Sequence, residues 1–292
     1  MIELPDEKWT PYVTVIGIGE LGVRVLLKLS KRKRQNLKLC AVVPSQTQKA
    51  GHEDNFVASA VCAGDVKMIE QPADLHHEIQ KSDMFLVVAD TTEAISTKAV
   101  SAAISAAHNI GSFALLITAD GKEGQGDYIH QTGTICMMPE ALSRRCATQP
   151  QLFDDEADVV AEMAMGMADM HLLPNLVGFD SYDIQEALSR PGKMTIAFGQ
   201  GNTMEQAVEH LLLDAENSGV DALRCNLAIF SMSGARSRLS IYDVNEAPYL
   251  MAKKMGREID SLTGDSLTLL SAPIDDSLGD KVKIFAVFCE GD

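Results

Sequence analysis

The chain has 292 residues, 46% hydrophobic and 23% charged, the proportions of a globular chain long enough for one large domain or two ordinary ones. Disorder as the main state, collagen-like repeats and low-complexity fibres are excluded by that composition. Lys and Arg total 25 against 41 Asp and Glu, and a net charge of −16 argues against nucleic acid and anionic lipid as partners.

Residues 1–11 carry Glu3, Asp6 and Glu7 and no apolar core, so no signal peptide is expected. No apolar run, 84–89 included, approaches the roughly 18–20 residues that span a bilayer. A cytoplasmic location without direct membrane contact is the expectation. Residues 12–16 read as a strand that opens into Gly17-Ile18-Gly19-Glu20-Leu21-Gly22, and 23–30 as a helix. Lys28, Lys31, Arg32, Lys33 and Arg34 follow it, either as a solvated helix C-terminus, where cations suit the dipole, or as a local basic patch. A second strand covers 37–43, a helix 73–81, a strand 84–89, a helix 94–108 and a strand 113–118, followed by a loop with Gly121, Gly124 and Gly126. Strand–helix alternation of this kind implies a parallel sheet covered on both faces.

The pattern then changes. Across 154–171, Val160, Met163, Met167 and Met170 recur on one helical face, and Pro174 ends the run. This methionine stripe reads as core packing rather than a recognition surface. Beyond it come helix 182–189, strand 194–198, helix 204–215, strand 223–232, helix 246–259 and strands 267–272 and 282–288. Two α/β domains joined by a long central helix result: residues 1–152, the helix at 153–173, and residues 174–292.

Gly17, Gly19 and Gly22 form a G-x-G-x-x-G turn between a strand and a helix, the setting in which backbone amides meet a pyrophosphate at a helix N-terminus. The acidic residue that a dinucleotide fold wants at the end of the second strand is absent, since 42–45 read Val-Val-Pro-Ser, which argues against a nicotinamide-dependent enzyme. A tight strand–helix turn that binds nothing is the alternative. The cysteines, at 40, 62, 136, 146, 225 and 289, show no C-x-x-C spacing, and Cys40, Cys225 and Cys289 sit in apolar runs that read as core. The histidines form no metal pattern either, and no metal is expected.

The stretch Val13-Thr14-Val15-Ile16-Gly17-Ile18-Gly19 resembles the opening of the FtsZ/tubulin-like GTPases. Residues 153–160 resemble the start of that family's central helix, and Gly178-Phe179-Asp180-Ser181-Tyr182-Asp183-Ile184 its synergy loop with paired aspartates. Residues 276–290 resemble its last two strands. The resemblance runs in order over nearly the whole chain. It implies a Rossmann-like parallel-sheet N-terminal domain, a central helix, and a smaller mixed-sheet C-terminal domain. It also implies a cytoskeletal, cell-division setting, GTP on Gly17, Gly19, Gly22 and Asp158, and catalysis in trans by Asp180 and Asp183. Those two aspartates would help polarise the water that attacks a neighbouring subunit's nucleotide.

The departures from the family redirect that expectation. Where the family has a second glycine-rich loop, this chain reads Ala89-Asp90-Thr91-Thr92-Glu93-Ala94-Ile95-Ser96-Thr97, with no glycine. Side chains there occupy space that backbone must leave to phosphates. Asp90 and Glu93 have the spacing of a helix cap box, so the site reads as filled by its own anions, with Glu20 of the first loop adding a third. Ala157 stands for a family asparagine beside Asp158, and Gly178 for another before Asp180; segment 118–122 also departs. Asp158 reads equally as a first-turn carboxylate, and Asp180 with Asp183 equally as helix caps. The family's chains continue past the last strand into a linker and a docking peptide, and after Asp292 no such tail is expected unless the end is trimmed.

The expectation is therefore an FtsZ/tubulin-like protein with a degenerate GTP site and no cofactor. It would be a non-hydrolysing assembly or filament-capping partner of an FtsZ-like subunit, or a self-associating homo-oligomer. The alternative is a divergent GTPase that still binds GTP and polymerises.

Overall fold

A computed structural model describes residues 11–42, 66–69, 82–89, 94–119, 133–137, 139–188, 194–221, 224–263 and 268–290. The expected helix at 73–81 and the loop with Gly121, Gly124 and Gly126 lie outside them. In chain order the elements are β1 (Val13–Ile18), α1 (Gly19–Ser30), β2 (Leu37–Val42), β3 (Lys67–Ile69), β4 (Met84–Ala89), α2 (Ala94–Asn109), β5 (Phe113–Thr118), β6 (Gly133–Cys136) and α3 (Pro139–Thr148). The central helix α4 (Glu156–Leu172) follows. After it come α5 (Ser181–Leu188), β7 (Met194–Gly201), α6 (Met204–Asn217), β8 (Cys225–Gly234), α7 (Ile241–Lys254), α8 (Ile259–Thr263), β9 (Leu269–Ser271) and β10 (Val282–Glu290).

The strands form one sheet in the order β3-β2-β1-β4-β5-β6-β7-β10-β8-β9. From β3 to β6 every pairing is parallel, and β1 and β4 are buried along their whole length. That explains their unbroken apolar sequences, because a parallel strand covered on both faces has no solvent side. One register pair, Ile135 with Met194, joins β6 to β7. Beyond it β10 runs antiparallel between β7 and β8, so this half is mixed. The architecture is mixed α/β, as read from the sequence.

Helix α4 is the hub. Of its 17 residues only Glu156, Asp158, Glu162 and Leu172 escape full burial. A helix apolar nearly all round belongs inside, so the methionine stripe is core packing but not one-sided. It shares one apolar cluster with α1, with β1 and β4, and with Met194, Ile196, Phe198 and Phe285 of the mixed half. Gly166 makes that contact possible: a Cβ there would stand 2.3 Å from the Phe285 ring. Helix α2 covers the opposite face of the parallel strands, and α6, α7 and α8 the opposite face of the mixed ones.

Two expected boundaries are corrected. The helix placed at 246–259 starts at Ile241, because Ser240 caps it: the Ser240 hydroxyl accepts from the Asp243 amide at 3.2 Å and lies 2.6 Å from its carboxylate. The helix runs through Pro248, ends at Lys254, and Gly256 turns the chain at φ 69° before α8 begins. Elements β3, β6 and α3 escaped the sequence reading. The two strands have three and four residues, too few to show a period, and α3 buries an arginine where an apolar residue is expected.

Candidate nucleotide site and the loop after the central helix

The turn from β1 into α1 lies where strand order reverses, with β2 on one side of β1 and β4 on the other. In an open α/β sheet that is the crevice where ligands bind. A Cβ on Gly17 would stand 2.5 Å from the Gly22 carbonyl oxygen, and one on Gly22 would stand 2.8 Å from that of Val88. Both glycines are thus required for α1 to lie against β1 and β4, whatever else the turn does. Gly19 has φ 73°, a left-handed conformation that only glycine adopts freely. The residue before α1 is Ile18, which offers no side-chain cap, and Glu20 is exposed in the first turn. The first-turn amides of α1 therefore receive no cap from that residue.

Asp158 is committed elsewhere. Its Oδ2 accepts from Lys28 Nζ at 2.8 Å and from the backbone N–H of Asp154 at 3.0 Å. Asp155, the N-cap of α4, accepts from the Asp158 amide at 3.0 Å. It also pairs with Arg24 at 3.1 Å and Lys28 at 3.4 Å. Two cations of α1 and two carboxylates at the start of α4 thus form one cluster. Burial lowers the Lys28 ammonium, but Asp158 and Asp155 more than offset this and leave it raised. Burial raises the Asp155 carboxyl, yet the Asp158 amide, Arg24 and Lys28 hold it below its ordinary range.

The seam continues down the two helices. Arg32 and Lys283 both pair with Glu162, and Arg34 reaches Asp169 through Nε at 2.8 Å and Nη2 at 3.1 Å. Burial works against the Glu162 carboxylate, but Lys283 and Arg32 hold its carboxyl down at about 2. Three members of the basic run, Lys28, Arg32 and Arg34, thus face α4 rather than solvent; Lys31 and Lys33 are exposed.

At the far end of α4, the chain from Pro174 to Val177 is pinned to the segment after β9. Leu176 N–H donates to Ala272 O at 3.0 Å, Ala272 N–H to Val177 O at 2.8 Å, and Ile274 N–H to Pro174 O at 2.7 Å. Asn175 Nδ2 closes the helix end through Met170 O and Leu173 O. Asp180 and Asp183 follow as a reciprocal cap of α5. Asp180 Oδ1 accepts from the amides of Tyr182 and Asp183 at 2.9 and 3.0 Å, and Asp183 Oδ2 accepts from the Asp180 amide at 3.0 Å. This is a carboxylate version of the capping box. Asp180 is exposed and so retains a solvent-facing oxygen.

The residues singled out in the sequence therefore divide in two. Gly17, Gly19, Gly22 and Asp158 gather around α1 and the start of α4. Asp180 and Asp183 lie past its other end, about 25 Å away by helix length. Buried His171 marks that end: burial lowers its imidazole, against the opposing charges of Asp83, next to β4, and Asp180. Asp90 and Glu93 lie outside the described residues. Arg24 and Lys28 were not foreseen as site residues; their four-residue spacing was visible, but not the helix they face. No group of acidic, histidine and cysteine residues among the described residues is placed to hold a metal ion.

No protein-family model matches the chain. The cell division protein FtsZ of Magnetospirillum gryphiswaldense is 20% identical over 315 residues, covering 95% of this chain and 54% of that protein. The chain thus spans about half the length of the curated relative it matches. Two structures of M. jannaschii FtsZ superpose with TM-scores of 0.67 and 0.69, at 16% and 14% identity, over 97% of this chain and 91% and 89% of theirs. GDP-form protofilaments of TubZ from Bacillus thuringiensis serovar israelensis give a TM-score of 0.60 at 12% identity, over 96% of this chain and 85% of that one. The fold is that of these FtsZ and TubZ structures, and the resemblance read from the sequence holds over the whole architecture. No helix among the described residues is long and apolar enough to cross a membrane.

Proposed function

We propose that this chain is an FtsZ/tubulin-like assembly protein with a degenerate GTP site. It acts as a non-hydrolysing assembly or filament-capping partner of an FtsZ-like subunit, or as a self-associating structural protein. The observation that carries this reading is the engagement of Asp158. The carboxylate at the family's base-contacting position already holds the Lys28 ammonium and the Asp154 amide, and Arg24 and Lys28 bridge α1 to Asp155 beside it. A base entering there must displace a charge-assisted bond and leave Lys28 less well paired. The absence of glycine from 90–97 supports the same reading, since phosphates need close backbone approach. The FtsZ and TubZ likenesses, one described as a dimer and another as protofilaments, support association of subunits.

One observation favours the alternative, a divergent GTPase that binds GTP and polymerises. Ile18, the residue before α1, offers no side-chain cap to its first turn, and Gly19 is in the left-handed conformation, an arrangement hospitable to an anion. Light scattering separates the two readings. On the proposal, GTP with magnesium leaves the scattering of the purified protein unchanged. A signal that rises on GTP addition and decays with hydrolysis establishes the alternative. A capping role is tested by mixing the chain with an FtsZ from the same cell: turnover of that partner's GTP changes, through Asp180 and Asp183 reaching its nucleotide. Unaltered turnover removes that role.

A further inference from the structure

We infer that the turn leaving α1, residues 31–36, is a clasp that fixes the mixed-strand half of the molecule against the central helix in one arrangement, independent of any nucleotide. The turn is an unusual piece of backbone. Lys33 and Asn36 both have positive φ, 32° and 63°, in a stretch with no glycine. Asparagine adopts that conformation readily, but a lysine takes it only where its surroundings hold it there. Its effect is to aim Arg32 and Arg34 at the same seam.

Each arginine belongs to a three-residue cluster that reaches both sides. Arg34 sits between Asp169 of α4 and Asp275, which precedes β10; its Nη2 is 2.5 Å from Asp275 Oδ2. Arg32 and Lys283 of β10 pair with Glu162 of α4, one on each carboxylate oxygen. The side chains of Arg34, Asp169, Asp275, Glu162 and Lys283 are all less than one-fifth exposed. Such pairs are screened little by salt and lose much when one partner is removed. Asp275 is anchored by its own amide on Gly234 O at 3.0 Å and by the Ser277 amide on its Oδ1 at 3.0 Å. The space left beside Glu162 and Lys283, towards Phe198 and Gln200, is only about 40 Å³. Directed, desolvated charge clusters at two places along α4 define a register for the halves, which the apolar contacts alone do not.

The clasp holds whether or not GTP binds, and it is tested on the seam itself. The double variant Asp275→Asn with Lys283→Met removes both partners on the β10 side. It leaves Arg34–Asp169 and Arg32–Glu162 intact, and Asn keeps the oxygen that caps Ser277. Amide hydrogen exchange is read at Leu176, Ala272 and Ile274, which tie the post-α4 segment to the post-β9 segment, and at β1 and β4. The clasp predicts exchange at least about tenfold faster at those three amides, with β1 and β4 unchanged. Equal rates in variant and wild type, or equal acceleration in β1 and β4, overturn it. Should the double variant not fold, Asp275→Asn alone gives the same comparison, and the same results support or overturn the clasp.

Discussion

Asp180 and Asp183 each accept a hydrogen bond from the other's backbone amide, and that reciprocity has a measurable consequence. An N-cap aspartate replaced by alanine typically costs about 1 kcal/mol, whereas asparagine caps as well as aspartate. Asp180→Ala should therefore lower stability to urea by about 1 kcal/mol, and Asp180→Asn should lower it by only a few tenths. A role on a partner's nucleotide needs the carboxylate itself, so the asparagine variant should lose any effect on partner GTP turnover while keeping its stability. An asparagine variant as active as the wild type reduces the pair to helix caps. The aspartates' two-way meaning was legible in their spacing, D-x-x-D at the start of a helical segment. Their partners were not, because a cap and a catalytic pair present the same letters. The same holds at Gly17 and Gly22: the glycines were visible, but their need to let α1 touch β1 and β4 emerges only when a Cβ is placed on each.

Between elements, the decisive feature is the charged seam of α1 and α4. Arg24, Lys28 and Arg32 recur every fourth residue, and Asp158, Glu162 and Asp169 recur on one face of α4, so each stripe could be read from sequence. What one sequence does not state is which stripe meets which, since the two are separated by more than a hundred residues. The basic run was for this reason open between solvated helix end and binding patch. Glu162 gives the seam a pH signature. Its folded-state carboxyl is held at about 2 against an ordinary 4.5, by Lys283 from β10 and Arg32 from the α1 exit. A depressed folded value means the stabilisation is complete above the ordinary value and is lost as pH falls through the folded one. Glu162→Gln should therefore be less stable than wild type at neutral pH, by up to about 3 kcal/mol for that difference in affinity for protons. The gap should close as pH falls from about 4.5 to about 2. Chemical denaturation at several pH values reads it directly; a gap that stays constant across that window means the ion pairs contribute nothing net.

For the whole molecule, the fold was the most legible part. The unbroken apolar strands 84–89 and 113–118, the long helix around 154–171 and the ordered family-like segments each pointed to the same two-part α/β plan, and such agreement between levels is what specifies a fold. Less legible were the short strands, the single β6–β7 register pair that makes the two parts share one sheet, and the helix whose start was concealed by Pro248. The site was legible only as a set of candidates, because its fate depends on contacts across the sheet. On the proposed function, the position expected for a guanine nucleotide is occupied by the protein's own charges, Lys28 and Arg24 with Asp158 and Asp155; Glu20 is exposed in the first turn of α1, and the glycine-free sequence at 90–97 adds the carboxylates Asp90 and Glu93. At close range each additional like-charge pair costs on the order of 4 kcal/mol at an effective dielectric near 20. Calorimetric titration of the full chain with GTP and GDP in magnesium tests this most directly. A site filled in this way predicts no binding in the micromolar range for either nucleotide. Saturable GTP binding with a micromolar or tighter Kd would contradict it and make the chain a nucleotide-binding member of its fold class.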